Sequence, residues 1–126
     1  MASSVLAPVQ ERGRAALEHL GLPNRRQEPW RLTDLKRLAA LSELSASASP
    51  LPTPLPSSLE GVTRLVLNGF DNPLAGQVLP EGLTALNAEE LEQALGHTLD
   101  QCGCSQVWPV EFNHANVQQI LALRVR

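Results

Sequence analysis

The feature that most constrains the fold is a corner at residues 20–38, where a helix is stopped and a second one begins. Gly21 suits the left-handed residue that ends a helix. Pro23 and Pro29 restrict the residues before them to extended geometry, so helix cannot run through the corner. Trp30, one of only two tryptophans, lies here, and we expect it to fill the gap between the two helices.

Amphipathic patterns predict a helix on each side of this corner. The first covers residues 8–20, and Pro8 suits its first position because proline lacks the backbone donor that is unused there. The second begins at Thr33 or Asp34 and ends near Leu44, and an acidic residue in its first turn is favourable to the helix dipole.

A Pro/Ser-rich linker is predicted over residues 45–60. It contains four prolines at alternate positions, namely Pro50, Pro52, Pro54 and Pro56. Such a composition favours an extended chain without a packed core. A ligand for an SH3-type domain is the alternative, since those domains recognise preformed proline-rich chains.

Short strands are predicted after the linker. Residues 62–68 are rich in strand formers and end at a turn signal, Asn68 followed by Gly69. Residues 77–79 and 83–86 have the length and composition of two more strands, so a sheet of two or three strands is expected.

A third helix and a last strand complete the predicted elements. Asn87 is expected to cap a helix from residue 88 to about residue 99, with Glu90 forming a capping box. Residues 112–117 fit one helical turn, and residues 120–126 alternate as a strand does. The predicted fold class is therefore α+β.

The final strand leads to two further expectations. An apolar strand whose backbone is unpaired invites pairing with another chain. We therefore expect the sequence to be a piece of a longer protein, and expect this strand to be a possible route to a homo-oligomer.

Composition excludes several classes of function. Apolar residues make up 43% of the 126 residues, but aromatic residues only 3%, which is too few for the base-stacking surfaces of common single-strand binders. The net charge is −3, with seven Lys and Arg against four acids in residues 1–41 and three against nine in residues 42–126. This mildly basic first part predicts neither a nucleic-acid partner nor a membrane partner. No apolar run is long enough to span a membrane.

The motif Cys102-Gly103-Cys104 is the one candidate for metal or sulfur chemistry, with His97 or His114 as further ligands. Zinc and iron–sulfur sites generally need four ligands and a wider spacing within each pair. We therefore assign no catalytic, cofactor-binding or metal-binding residue and no cofactor. Two cysteines without a signal peptide favour a cytoplasmic protein.

Several motifs together resemble the N-terminal region of the SufB/SufD family of iron–sulfur cluster assembly proteins, and of its SufD branch in particular. The motifs, in chain order, are Arg14-Ala15-Ala16-Leu17, Leu20-Gly21-Leu22-Pro23, Arg25, Glu28, Trp30-Arg31, Thr33, Leu35, Arg64 to Gly69, Leu79 to Thr84, Phe112-Asn113 with Ala115, and Ile120 to Val125. The family tends to carry Asp-Gly where this chain has Gln118-Gln119.

The resemblance implies a non-catalytic scaffold. In that family a helical N-terminal domain precedes a β-helix that pairs with SufB and a C-terminal region that contacts the SufC ATPase. The chain would be one N-terminal domain, with a helical part (1–44), the linker (45–60), a small α+β part (61–110) and the first strand of a missing β-helix (111–126). The alternatives are a free-standing interaction module, or a metal- or sulfur-handling domain that uses Cys102 and Cys104.

Overall fold

The structure, a computed structural model, describes residues 2–45, 55–103 and 106–126. In these residues four α-helices and two short strands are present. The helices are α1 (Ala2–Leu20), α2 (Leu35–Ser42), α3 (Ala88–Gln101) and α4 (Trp108–Asn116), and the strands are β1 (Leu83–Ala85) and β2 (Leu123–Val125). The predicted α+β class is confirmed.

The core lies where α1 packs against α4. The buried apolar side chains at this contact are Val5, Leu6 and Val9 on α1 and Trp108 on α4. Gly13 lies at the crossing, where a Cβ atom would be 2.8 Å from the carbonyl oxygen of Glu111 and closer still to the amide nitrogen of Ala115. The absence of a side chain at Gly13 therefore allows the two backbones to meet.

Helix α1 is longer than predicted, because it begins at Ala2 and includes Pro8 in its interior. The predicted first-position role of Pro8 is therefore wrong. A proline inside a helix removes one backbone hydrogen bond, but Val5 and Leu6 precede it and are buried. Burial of such side chains offsets the unfavourable proline. The predicted end is confirmed, since Gly21 has a φ of +64° and its amide donates to the Leu17 carbonyl oxygen at 2.9 Å.

Strands β1 and β2 form a two-stranded antiparallel sheet in which Leu83, Thr84 and Ala85 pair with Val125, Arg124 and Leu123. The predicted final strand is thus present but shorter. One of its edges is hydrogen-bonded to β1 of the same chain. Helix α3 follows directly. Its capping box is confirmed, since Asn87 Oδ1 accepts from the Glu90 amide and Glu90 Oε2 accepts from the Asn87 amide.

The other two predicted strands are wrong: in the structure, neither residues 62–68 nor residues 77–79 form a strand. Strand-forming composition is insufficient without a neighbouring strand to pair with, and tertiary context decides the outcome. The turn after residues 62–68 is confirmed, since Asn68 Oδ1 accepts from the amides of Phe70 and Asp71 at 2.9 Å each. Of the predicted linker, residues 46–54 lie outside the described residues.

The remaining helix bounds differ from the predictions at their ends. Helix α2 begins after Asp34, whose carboxylate accepts from the Arg37 amide at 3.2 Å. Helix α4 is longer than the single predicted turn because Pro109 lies in its first turn, a position that proline favours. Along the described parts of the chain, no helix has the length and apolar character needed to cross a membrane.

Candidate interaction site

The corner at residues 20–38 is built by short-range hydrogen bonds. Asn24 Oδ1 accepts from the Arg26 amide at 3.0 Å, and the Gln27 amide donates to the Asn24 carbonyl oxygen at 3.1 Å. A 3₁₀ turn, Glu28–Trp30, follows with Pro29 in its first positions. These bonds satisfy backbone groups that a helix would otherwise pair, so the chain reverses while keeping a defined path.

Three aromatic rings hold the corner against α4. Trp30 meets Trp108 edge to face, with centroids 6.4 Å apart, and Trp108 stacks on Phe112 with centroids 5.0 Å apart. Such aromatic pairs contribute about 0.5–1.5 kcal/mol beyond the area they bury. The predicted position of Trp30, between the first and second helices, therefore needs correction: its ring partner is on α4.

A mostly apolar cleft of about 410 Å³ lies between the corner and the start of α4. Its lining includes both tryptophans, three prolines and two glutamines, with the complete set being Leu20, Gly21, Pro23, Gln27, Pro29, Trp30, Gln106, Val107, Trp108 and Pro109. A second, more polar hollow is lined by other residues of the corner and by the start of α2.

A buried carboxylate lies just behind the rings. Glu111 is 2% exposed, and its Oε1 accepts from the Gln106 amide at 3.1 Å. Val107, which caps α4, has no side-chain acceptor, and Gln106 has a φ of +68°. The Glu111 carboxylate therefore ties the residue before the capping position, Gln106, to the first turns of α4.

His114 is the neighbour of this carboxylate, with Nδ1 3.4 Å from Glu111 Oε2. Within the described residues, neither of these two atoms has a hydrogen-bond partner. The pair lies one helical turn apart on α4 and supplies two potential ligands. It is thus a polar contact within α4, and no third possible ligand among the described residues joins it.

The outer side of the corner is basic. Residues 20–38 contain five basic and two acidic residues. Both acids are engaged, because Glu28 Oε1 is 3.6 Å from Arg31 Nη2 and Asp34 Oδ2 is 3.5 Å from Arg37 Nε. The exposed surface between these pairs is lined by Arg25, Arg31, Leu32, Thr33, Asp34, Leu35 and Lys36, which enclose a hollow of about 700 Å³.

The structure does not bring the candidate metal ligands together into a described site. Cys102 is exposed after α3, and its thiol donates to the Leu99 carbonyl oxygen at 3.3 Å. Cys104 lies outside the described residues. His97 is exposed on α3, whereas His114 is half-buried on α4 beside Glu111. Among the described residues there is no group of three or more possible metal ligands.

Sequence reasoning missed the inner half of this site. The sequence has no capping signal for Glu111, because it lies four residues after Val107 and not three, as in a capping box. Trp108 was not placed either, although Pro109 beside it marks a helix start. The contact of Gly13 with α4 has no signal in the sequence beyond a glycine inside a helical pattern.

Comparisons of the chain with family models, with curated proteins and with solved structures gave no match.

Proposed function

We propose that this chain is the N-terminal accessory domain of a SufD-like scaffold, a non-catalytic cytoplasmic component of iron–sulfur cluster assembly. It acts by packing and by protein contacts, and the longer protein of which it is part associates with SufB and SufC. The chain itself holds no cofactor in this proposal.

One observation supports this proposal beyond the sequence motifs themselves. Two of the stretches that resemble the family, around Trp30 and around Phe112, are far apart in the sequence. In the structure the rings of Trp30 and Phe112 both contact Trp108. Motifs that pack into one cluster support a family relationship more strongly than motifs that match only in their order along the chain. A core shared by the family would need all the residues of that cluster at once.

The test compares three forms of the protein as bait for the SufB and SufC proteins of the same cell. These are the complete gene product, the 126-residue chain, and the complete product without these residues. We expect the complete product to capture both proteins, the chain alone to capture neither, and the shortened product to retain capture. Failure of the complete product to capture either protein would contradict the proposal.

If the chain is instead a free-standing interaction module, the pattern of captured proteins among the three baits should be reversed. In that case the 126-residue chain alone captures a partner, and removing it from the complete product abolishes the capture. The exposed basic side of the corner favours this alternative, because unneutralised charge on a surface can attract a partner.

A further inference from the structure

The basic side of the corner carries positive charge that the chain does not neutralise. Of its five cations, Arg31 and Arg37 pair with Glu28 and Asp34. Arg25, Arg26 and Lys36 are exposed and have no carboxylate at ion-pair distance within the described parts of the chain. Because the whole chain has a net charge of −3, this positive surface stands out from its surroundings.

An exposed leucine lies among these cations. Leu32 is 92% exposed and lines the same hollow as Arg25 and Lys36. Among the described elements, α2 makes no extensive contact with another helix or strand. We call Arg25, Arg31, Leu32 and Lys36 the basic surface.

We propose that the basic surface binds an acidic segment of another polypeptide. Arg25 and Lys36 would pair with its carboxylates, and Leu32 would contact an apolar side chain between them. Opposite charges would attract the segment to the surface, and the apolar contact at Leu32 would fix its position along the surface. This inference does not depend on the proposed SufD-like role.

Other occupants fit the basic surface less well. Nucleic acid offers phosphates but no partner for Leu32, and the two indoles are packed on each other rather than presented for base stacking. A membrane meets a flat or convex surface, whereas Leu32 lines a concave hollow. A second copy offers acidic residues on its α3, such as Glu89 and Glu92, and the self-association measurement below distinguishes it from another polypeptide.

The test uses a fluorescently labelled synthetic peptide of Glu with Leu at every third position, and a matched peptide in which Gln replaces every Glu. Binding to the 126-residue chain is followed by fluorescence anisotropy at low and high salt. We expect the acidic peptide to bind, the Gln peptide to bind at least about tenfold more weakly, and the affinity to fall with salt.

Variants locate the binding site. Arg25→Gln with Lys36→Gln should weaken binding roughly fivefold or more, because two exposed ion pairs are lost. Arg14→Gln with Arg126→Gln removes the same charge elsewhere and should leave the affinity within about twofold. Leu32→Ser should weaken binding of the acidic peptide but not of a version in which Ala replaces each Leu. Since all these side chains are exposed, the variants should keep the fold.

Several results would overturn the proposal. Equal losses in the two double variants would show that only net charge matters. Tighter binding of a single-stranded oligonucleotide, or of phosphatidylserine vesicles, through the same residues would identify a different class of ligand. Self-association in sedimentation, abolished by Arg25→Gln with Lys36→Gln, would make a second copy the occupant.

Discussion

At the scale of single residues, Gly13 sets how closely the two main helices approach. A Cβ at this position would lie 2.8 Å from the Glu111 carbonyl oxygen and 2.9 Å from the His114 carbonyl carbon. Both are backbone atoms, so neither can rotate away as a side chain could. Gly13 therefore fixes the separation of α1 and α4, and with it the position of the Trp108 ring.

Gly13→Ala should destabilise the protein by about 2 kcal/mol or more, because the helices must separate and the core must repack. Urea unfolding followed by tryptophan fluorescence measures the change. Gly96→Ala is the matched control, since a Cβ there meets nothing within 4 Å. This control should stabilise the protein by roughly 0.5–1 kcal/mol, because alanine is the better residue inside a helix. Equal changes in the free energy of unfolding for the two substitutions would contradict the close approach of α1 and α4 at Gly13.

Glu111 shows, at the same scale, how a buried carboxylate is held in the core. Its Oε1 accepts from the Gln106 amide, and this bond joins the segment before α4 to the helix. A hydrogen bond to a charged group of this kind contributes about 1.5–3 kcal/mol when it is shielded from water, and less here because Gln106 is exposed. The carboxylate thus has a structural role that explains its burial.

At the scale of the elements, α3 is tied to the sheet through Glu90. Its carboxylate accepts from the Asn87 amide at 3.0 Å and from Arg124 Nη1 of β2 at 2.9 Å. The hydrogen bond from the Asn87 backbone, followed by the bond from Arg124, lowers the pKa of Glu90 below its ordinary value of 4.5. One side chain therefore caps the helix and joins it to the strand.

The stability contributed by Glu90 should depend on pH. Because the folded state lowers its pKa, the contribution is fully present above the unfolded value of 4.5 and is lost as pH falls through the lowered folded value. Glu90→Gln should therefore have a lower urea midpoint than the unchanged protein at about pH 7, and the difference should shrink towards about pH 2.

Glu89→Gln is the matched control for this pH dependence. Glu89 lies in the same first helical turn, but no ion pair or side-chain hydrogen bond of Glu89 is present in the described structure. Its substitution removes the same charge. As pH is lowered, the urea midpoint of Glu89→Gln should fall by nearly as much as that of the unchanged protein. A Glu90→Gln protein that loses stability in acid as steeply as the unchanged protein would contradict the role of Glu90.

The elements also show what sequence can and cannot predict. The end of α1 at Gly21 and the capping box of Asn87 and Glu90 were predicted correctly because both depend on residues a few positions apart. The strand predicted over residues 62–68 was wrong because a strand needs a partner, and a partner is set by the rest of the fold. The contact between Trp30 and Trp108 also depends on the rest of the fold, so the sequence does not predict it. The corner itself depends on nearby Gly and Pro residues, and the sequence does predict it.

At the scale of the whole molecule, the buried core is small and lies at one place. Val5, Leu6 and Val9 of α1 and Trp108 of α4 form it, and Pro23 of the corner is buried as well. The sheet has three residue pairs, and a two-stranded sheet of this size is marginal by itself. Local stability should therefore be greatest at the contact of α1 with α4 and should decrease towards residues 55–79.

Hydrogen exchange followed by mass spectrometry should reveal this gradient. Amides in the middle of α1 should exchange at least about a hundredfold more slowly than those of residues 63–67. The latter make no backbone hydrogen bond to another part of the described chain, although their composition suits a strand. Slow exchange in both segments would contradict the gradient and show that residues 63–67 are paired. If that protection increased with protein concentration, the pairing would be between copies of the chain, as the exposed strand edges would permit.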